Sequence, residues 1–292
     1  MKRFYLLILC TLLALGSQAQ AKKKRPSSYN KQNNENDRFL EKQWWLGFKA
    51  GVNLSDPVVV KTYSIIKPTN YERSMVNKDY EHYKKIGSQA TVEVTFTYKG
   101  ASFSFQPTYR HVRFQYSNHY EWSDVDNATN RLILDLYQEQ QVDYLDFPIL
   151  IKYDLTKTKL RPYLQVGGYS SILLNAVKSV ERSGTDYASG GENEFKDEPI
   201  TVGATDLFAK NHWGLIGGAG VNYNLGNVRV NLDIMYRLGM SNVTSTENRY
   251  GSDRLSGVGD SMDDLKLNTL TISLGCLFPM RFLSSGFKSL DK

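Results

Sequence analysis

Cysteine is nearly absent: two residues in 292, Cys10 and Cys276. Cys10 lies in an apolar N-terminal run expected to be removed, so the mature chain keeps one thiol and no intrachain disulfide is possible, although the expected compartment is oxidising. After the first twenty residues no apolar run approaches the roughly 20 residues that a membrane-spanning helix needs, which excludes a helical bundle in the bilayer. Histidine is scarce at 4, and no acidic spacing matches a calcium loop. The glycine pairs Gly167-Gly168 and Gly217-Gly218, with Gly220, are not followed by the helix that makes a phosphate-binding loop work. They fit relief of crowding or strand curvature instead. On these grounds the sequence assigns no catalytic, cofactor-binding or metal-binding residue.

The N-terminus has its own logic. Lys2 and Arg3 precede an apolar run over residues 4–15, and small residues follow up to Ala19 and Ala21. This is the pattern of a cleaved secretory signal, with Ser17-Gln18-Ala19 and Ala19-Gln20-Ala21 both fitting the cleavage rule. Cleavage after Ala19 defines a signal peptide at 1–19. Cys10 follows Leu9, without the small residue expected before a lipidated cysteine, so the leader is not that of a lipoprotein. The net charge of +6 falls by two when Lys2 and Arg3 leave, and much of the rest sits in Lys22, Lys23, Lys24 and Arg25. Residues 20–43 have too few apolar side chains to bury a core and read as a flexible basic periplasmic arm. A nucleic-acid partner is not expected.

What the chain does have is aromatic residues and alternation. Tyr 19, Phe 13 and Gly 22, with 41% hydrophobic residues and a mean hydropathy of -0.44, suit aromatic-rich strands joined by polar loops. In residues 144–174, Leu145, Phe147, Ile149, Ile151 and Tyr153 alternate with Asp146, Pro148, Leu150, Lys152 and Asp154, a period of two that no helix places on one face. After a polar turn the pattern resumes through Pro162, Leu164, Val166, Ser170, Ile172 and Leu174. Strands are expected at 44–54, 87–98, 101–116, 137–154, 161–177, 211–225, 227–241 and 266–282. In the third, the apolar parity passes from Phe103, Phe105 and Tyr109 to Val112, Phe114 and Tyr116, which predicts a β-bulge near Arg110 or His111.

The expected connections alternate in length. Lys99-Gly100, 155–160 and Gly226-Asn227 are short, whereas 55–86, 117–136, 178–210 and 242–265 are long. An even strand number with short turns at one end describes an eight-stranded antiparallel up-and-down transmembrane β-barrel over residues 44–282, followed by a short periplasmic tail at 283–292. Export places the short turns and both termini in the periplasm and the chain in the bacterial outer membrane. Two aromatic levels agree with this: Trp44, Tyr98, Phe103, Tyr153, Tyr223 and Phe278 at the expected periplasmic end, Tyr109, Tyr144, Trp213 and Tyr236 at the outer end. A soluble barrel, apolar inside and polar outside, has no cause for either asymmetry.

The runs YLDFPILIKY and RPYLQVGGYSSILL resemble the central hairpin of the PorT-like outer-membrane β-barrel family common in the Bacteroidota, and WLGFKAGVNLS resembles its first strand. The resemblance spans residues 44–282. It implies the barrel fold, and the name-giving member assists protein secretion across the outer membrane. The chain differs in its longer basic arm and in the tail after Phe282.

Inward positions predict a sealed lumen. Lys49 and Glu93 fall at similar distances from the loop that joins their strands, and Asp233 and Arg237 approach from the far wall, so these four are expected to form one mutually paired plug. The expected role is a non-enzymatic scaffold or accessory component of an envelope assembly, with protein secretion as one such setting, touching outer-membrane lipid and other envelope proteins through the arm or outer loops. The alternative is a surface binding or adhesion protein using acidic loops, Glu181, Asp186, Glu192, Glu194, Asp197, Glu198 and Asp206 in one and Asp260, Asp263 and Asp264 in the other. A lipid-modifying enzyme ranks below both: His82, His111, His119 and His212 lie towards the outer end, but no sequence spacing brings any of them to an acidic or serine partner.

Overall fold

The computed structural model describes residues 42–63, 78–225, 228–249 and 261–280. The expected signal peptide, the arm up to residue 41, the Gly226-Asn227 turn and the tail lie outside the described residues. The strands are β1 (Lys42–Lys61), β2 (Asp79–Tyr80), β3 (Ile86–Tyr98), β4 (Ala101–Phe105), β5 (Thr108–Ser123), β6 (Arg131–Asp154), β7 (Leu160–Asp186), β8 (Asn193–Lys196), β9 (Ile200–Gly203), β10 (Asn211–Leu225), β11 (Val228–Gly239) and β12 (Asp264–Pro279). Among the described residues one 3-10 turn covers Thr205–Leu207.

Eight walls close a ring. β1 pairs with β3, β3 with the β4–β5 wall, and the order continues through β6, β7, β10, β11 and β12 back to β1, every pairing antiparallel. β2 lies on β5, and β8 and β9 lie on β7, all outside the ring. At the short-turn end β3 and β4 join through Lys99 (φ 49) and Gly100 (φ 93) between the paired Tyr98 and Ala101. Positive φ at both central residues gives the turn whose twist matches a hairpin.

The alternation is inverted relative to a soluble barrel. Val92, Ile149, Ile151, Leu232, Ile234 and Leu274 face outward and are exposed, while Glu93, Asp146, Lys152 and Asp233 point inward and are buried. Apolar side chains outside and charges inside are stable only where the outer solvent is lipid. The six aromatics expected at the short-turn end are all exposed on the outer face, as are Tyr109, Trp213 and Tyr236 towards the other end. Tyr144 is not part of that girdle: it shares the inward parity of Asp146 and is 0% exposed.

The third wall carries no bulge at Arg110 or His111. β3 pairs Val94 with Phe105 and Thr91 with Thr108, so both strands advance three residues across the gap between β4 and β5. The gap reflects Pro107, which has no N–H to donate to the ladder. Val112, Phe114 and Tyr116 keep the inward parity and are apolar because the outer part of the lumen is apolar. The register shift in this region lies in β7, where Asp143 pairs with Asn175 but Tyr144 with Leu173, leaving Leu174 as the extra residue.

Two expected loops, 117–136 and 178–210, are largely strand. β5 and β6 continue their pairing to Ser123 and Arg131, and β7 runs to Asp186 against β6. Beyond the bilayer neither face has to be apolar, so the period-two signal fades while the ladder persists. The result is a sheet of β5, β6 and β7, edged by β2 on one side and by β8 and β9 on the other, projecting from the long-loop end of the barrel.

Candidate functional site

The lumen is filled in layers. Nearest the short turns, Arg229 lies 4.2 Å over the Trp45 ring and Arg161 faces Asp154 at 3.8 Å. Next, Lys49 bonds both Glu93 and Asp233, and Lys152 reaches Glu93 at 2.6 Å, a balanced set of two cations and two anions. Leu150, Tyr169, Ile216 and Met235 pack beyond it. In the third charged layer Asp146 accepts from Arg110 Nε at 2.7 Å, Arg237 Nη1 at 3.0 Å and Ser171 Oγ at 2.5 Å. The excess cation there is met by rings, with Arg110 5.2 Å from the Tyr144 centroid and Arg237 5.4 Å from Tyr169. The expected four-residue plug is thus two layers: Arg237 belongs with Arg110 and Asp146, and Lys152 takes the place foreseen for it. Asp146 and Lys152 were legible as inward by parity, whereas Arg110 stood at the expected bulge; that these side chains meet charges on other walls was not legible.

Above the charges an apolar cap closes the outer mouth. Phe114, Tyr116, Val142 and Tyr144 from the barrel wall pack with Leu207, Phe208, Val243 and Met262 from the outer segments. Glycine makes room for the packing lower down: a Cβ on Gly220 would stand 2.5 Å from the Tyr163 ring and 2.6 Å from Asp233 Oδ1.

With the barrel shut, the surface able to engage a ligand is the projecting sheet. On its outward face a cavity of about 310 Å³ has a floor of two ladder rungs, Gln115–Glu139–Ser179 and Ser117–Tyr137–Glu181. Glu81 and Lys85 form one wall and Pro199 the other. Glu139 accepts from Arg113 Nη2 at 2.6 Å, Gln141 Nε2 at 3.0 Å and Lys85 Nζ at 2.8 Å. Burial disfavours its charged form, but these three donors outweigh burial and hold the carboxyl below its ordinary value. Glu181 is met by Lys196 at 2.7 Å and Glu81 by Lys84 at 2.6 Å. The Tyr137 ring is 53% exposed.

The sequence model of the family described as "Outer membrane protein beta-barrel domain" matches residues 18–245. The chain belongs to this family. Among solved structures it is similar to OprG of Pseudomonas aeruginosa (13% identity, TM-score 0.36, covering 82% of this chain and 97% of that one) and to Neisserial surface protein A (12%, 0.31, 80% and 96%). It is also similar to Ail, the attachment invasion locus protein of Yersinia pestis, in complex with the heparin analogue sucrose octasulfate (10%, 0.27, 81% and 99%). No curated protein matches the chain. As an outer-membrane β-barrel it crosses the bilayer with strands.

In this outer-membrane barrel the histidines do find acidic partners. His111 Nδ1 lies 2.7 Å from Asp143, which also accepts from the Tyr109 hydroxyl at 3.0 Å, and His119 Nδ1 lies 2.6 Å from Asp135. His82 contacts Asp56. Two of these pairs join β5 to β6 and the third joins the β2–β3 connection to β1, so no spacing along the chain could display them. His212 differs: it is buried, with its ring 4.5 Å from that of Tyr144. The acidic residues of 178–210 are spread along β7, β8 and the segments beside them rather than gathered in one loop, and Asp264 is tied to Arg249 at 2.6 Å. Among the described residues no group of three metal-ligating side chains converges.

Proposed function

We propose that the protein is a non-conducting outer-membrane anchor that presents a rigid sheet at the cell surface for binding, serving as a non-enzymatic scaffold or recognition component of the envelope. The carrying observation is the combination of a lumen packed from Trp45 to Met262 with a projecting sheet that bears the groove around Tyr137. A pore would need an open, hydrated axis, and eight walls leave a width that side chains fill. The PorT-like resemblance of YLDFPILIKY and RPYLQVGGYSSILL supports an accessory role, in which the partners are other proteins of the same envelope.

Two measurements test this. In planar bilayers the purified barrel is expected to show no steady conductance, and stable nanosiemens channels would overturn the sealed anchor. Replacing residues 119–135 with an Asn-Gly turn shortens the β5–β6 hairpin while keeping Asn118 opposite Leu136 and Ser117 beside Tyr137. The shortened barrel should assemble normally but lose the crosslinked envelope partners and surface binding of the wild type. Unchanged partners and binding would overturn the platform role.

A further inference from the structure

The groove chemistry names a class of ligand, and the step rests on the platform reading above. Its carboxylates are already met by cations, Glu139 by Arg113 and Lys85, Glu181 by Lys196 and Glu81 by Lys84. A floor so neutralised offers little attraction to a metal ion or polyamine, because each carboxylate already has at least one cation beside it. What it offers instead is a set of short-range donors and acceptors beside a flat ring. Carboxylate oxygens, the Gln115 amide oxygen, whose nitrogen donates to Glu81, and the Ser117 hydroxyl lie on three adjacent strands, with Tyr137 between Ser117 and Glu181. Sugars have the complementary surface: an apolar face of C–H groups that stacks on an aromatic ring, and an edge of hydroxyls that each donate and accept. A volume of about 310 Å³ stands at the small end of ligand pockets.

Position adds a second argument. Tyr109 of the outer girdle and Gln115 share the outward face of β5 six residues apart, on the order of 20 Å along a strand at about 3.4 Å per residue. At a strand tilt of roughly 40° that is about 15 Å above the girdle, so the groove opens sideways over the lipid surface, on the side from which the sugars of outer-leaflet glycolipids rise. Between girdle and groove the same face carries His111 and Arg113. We propose that this groove binds a saccharide, stacked on Tyr137 and held at its hydroxyls by Glu139, Glu181, Gln115 and Ser117. The same sugar chemistry has two sources, the membrane's own glycolipid and a free glycan, and the sideways opening favours the first.

The test uses the full mature chain in nanodiscs of phospholipid alone or of phospholipid with lipopolysaccharide. The soluble probes are lactose, N,N′-diacetylchitobiose and, for simple cation binding, spermine, followed by saturation-transfer NMR and calorimetry. Heat-modifiable gel migration confirms that each variant is folded. In phospholipid nanodiscs at least one disaccharide should bind, Tyr137→Ala and the groove-filling Ser117→Leu should each weaken it tenfold or more, and Tyr153→Ala at the opposite girdle should leave it unchanged. Lipopolysaccharide in the nanodisc should displace the disaccharide. Binding without displacement keeps the saccharide class and overturns the membrane's own glycolipid as its source. Absence of saccharide binding, equal binding by Tyr137→Ala, or a spermine response alone would overturn the inference. If the hairpin-shortened barrel still loses its partners in that case, the platform reading stands and only the ligand class falls.

Discussion

Glu93 on β3 and Lys152 on β6 meet at 2.6 Å although β4 stands between their strands, and neither side chain is open to water. The contact spans the lumen wall at the level where Lys49 and Asp233 complete the layer. Truncating one member leaves buried charges without counterparts, which costs about 3–5 kcal/mol. Glu93→Ala should show that loss in denaturant-driven refolding into lipid vesicles. Glu121→Ala, whose carboxylate meets Arg131 at 3.5 Å on the exposed sheet, should stay within about 1 kcal/mol. Equal costs would mean that the lumen charges are hydrated rather than paired.

Leu232 is 45% exposed on the outer wall of β11 and Leu174 is the extra residue of the β7 bulge. Leu232→Arg should cost about 2–4 kcal/mol in the same assay, the range for a lipid-facing arginine near the midplane. Deletion of Leu174 should be far milder than deletion of Val166. Removing the bulge residue lets Asn175 follow Leu173 with the inward parity of Ala176 unchanged, whereas removing Val166 turns every later side chain of β7 to the other face.

Gly191 and Lys159 lie at opposite ends of the barrel. In a Cys276→Ala background, Gly191→Cys should react with a membrane-impermeant maleimide on intact cells, and Lys159→Cys should react only after the outer membrane is opened. Neither site has the positive φ of Gly100 or Gly190, where a cysteine would strain the turn. The reverse labelling order would invert the barrel.

Glu139 ties Lys85 and Arg113 to the groove floor, and its carboxyl is held below its ordinary value. A lowered carboxylate contributes stability that is present above the unfolded value of about 4.3 and is lost as pH falls through the folded one. Glu139→Gln should therefore lower Tm at pH 7, and the gap to wild type should close as the pH is taken below about 4. A gap that widens in acid would have the wrong sign.

Most of the barrel was written in the chain because lipid imposes a strict demand. Each residue of a spanning strand faces either hydrocarbon or lumen, so Leu232 and Asn231, or Ile151 and Lys152, reveal their sides by alternation alone, and the two-residue turn at Lys99-Gly100 announces itself. Where that demand ends the signal ends too. The outer halves of β5, β6 and β7 carry polar residues on both faces, so the sequence showed long loops where backbone pairing builds a sheet and its groove. Parity also failed at the third wall, because Val112 and Phe114 are apolar and inward; the cap they join is made by Leu207, Val243 and Met262 from distant segments. The partner of Arg237 was decided by ring closure, which sets Asp146 beside it at a sequence separation of 91, and that of His111 by the β5–β6 register, which sets Asp143 opposite it at a separation of 32. Alternation depends on one strand and its solvent, but contact across a lumen depends on strand tilt and register of the whole ring, and only the folded barrel supplies those.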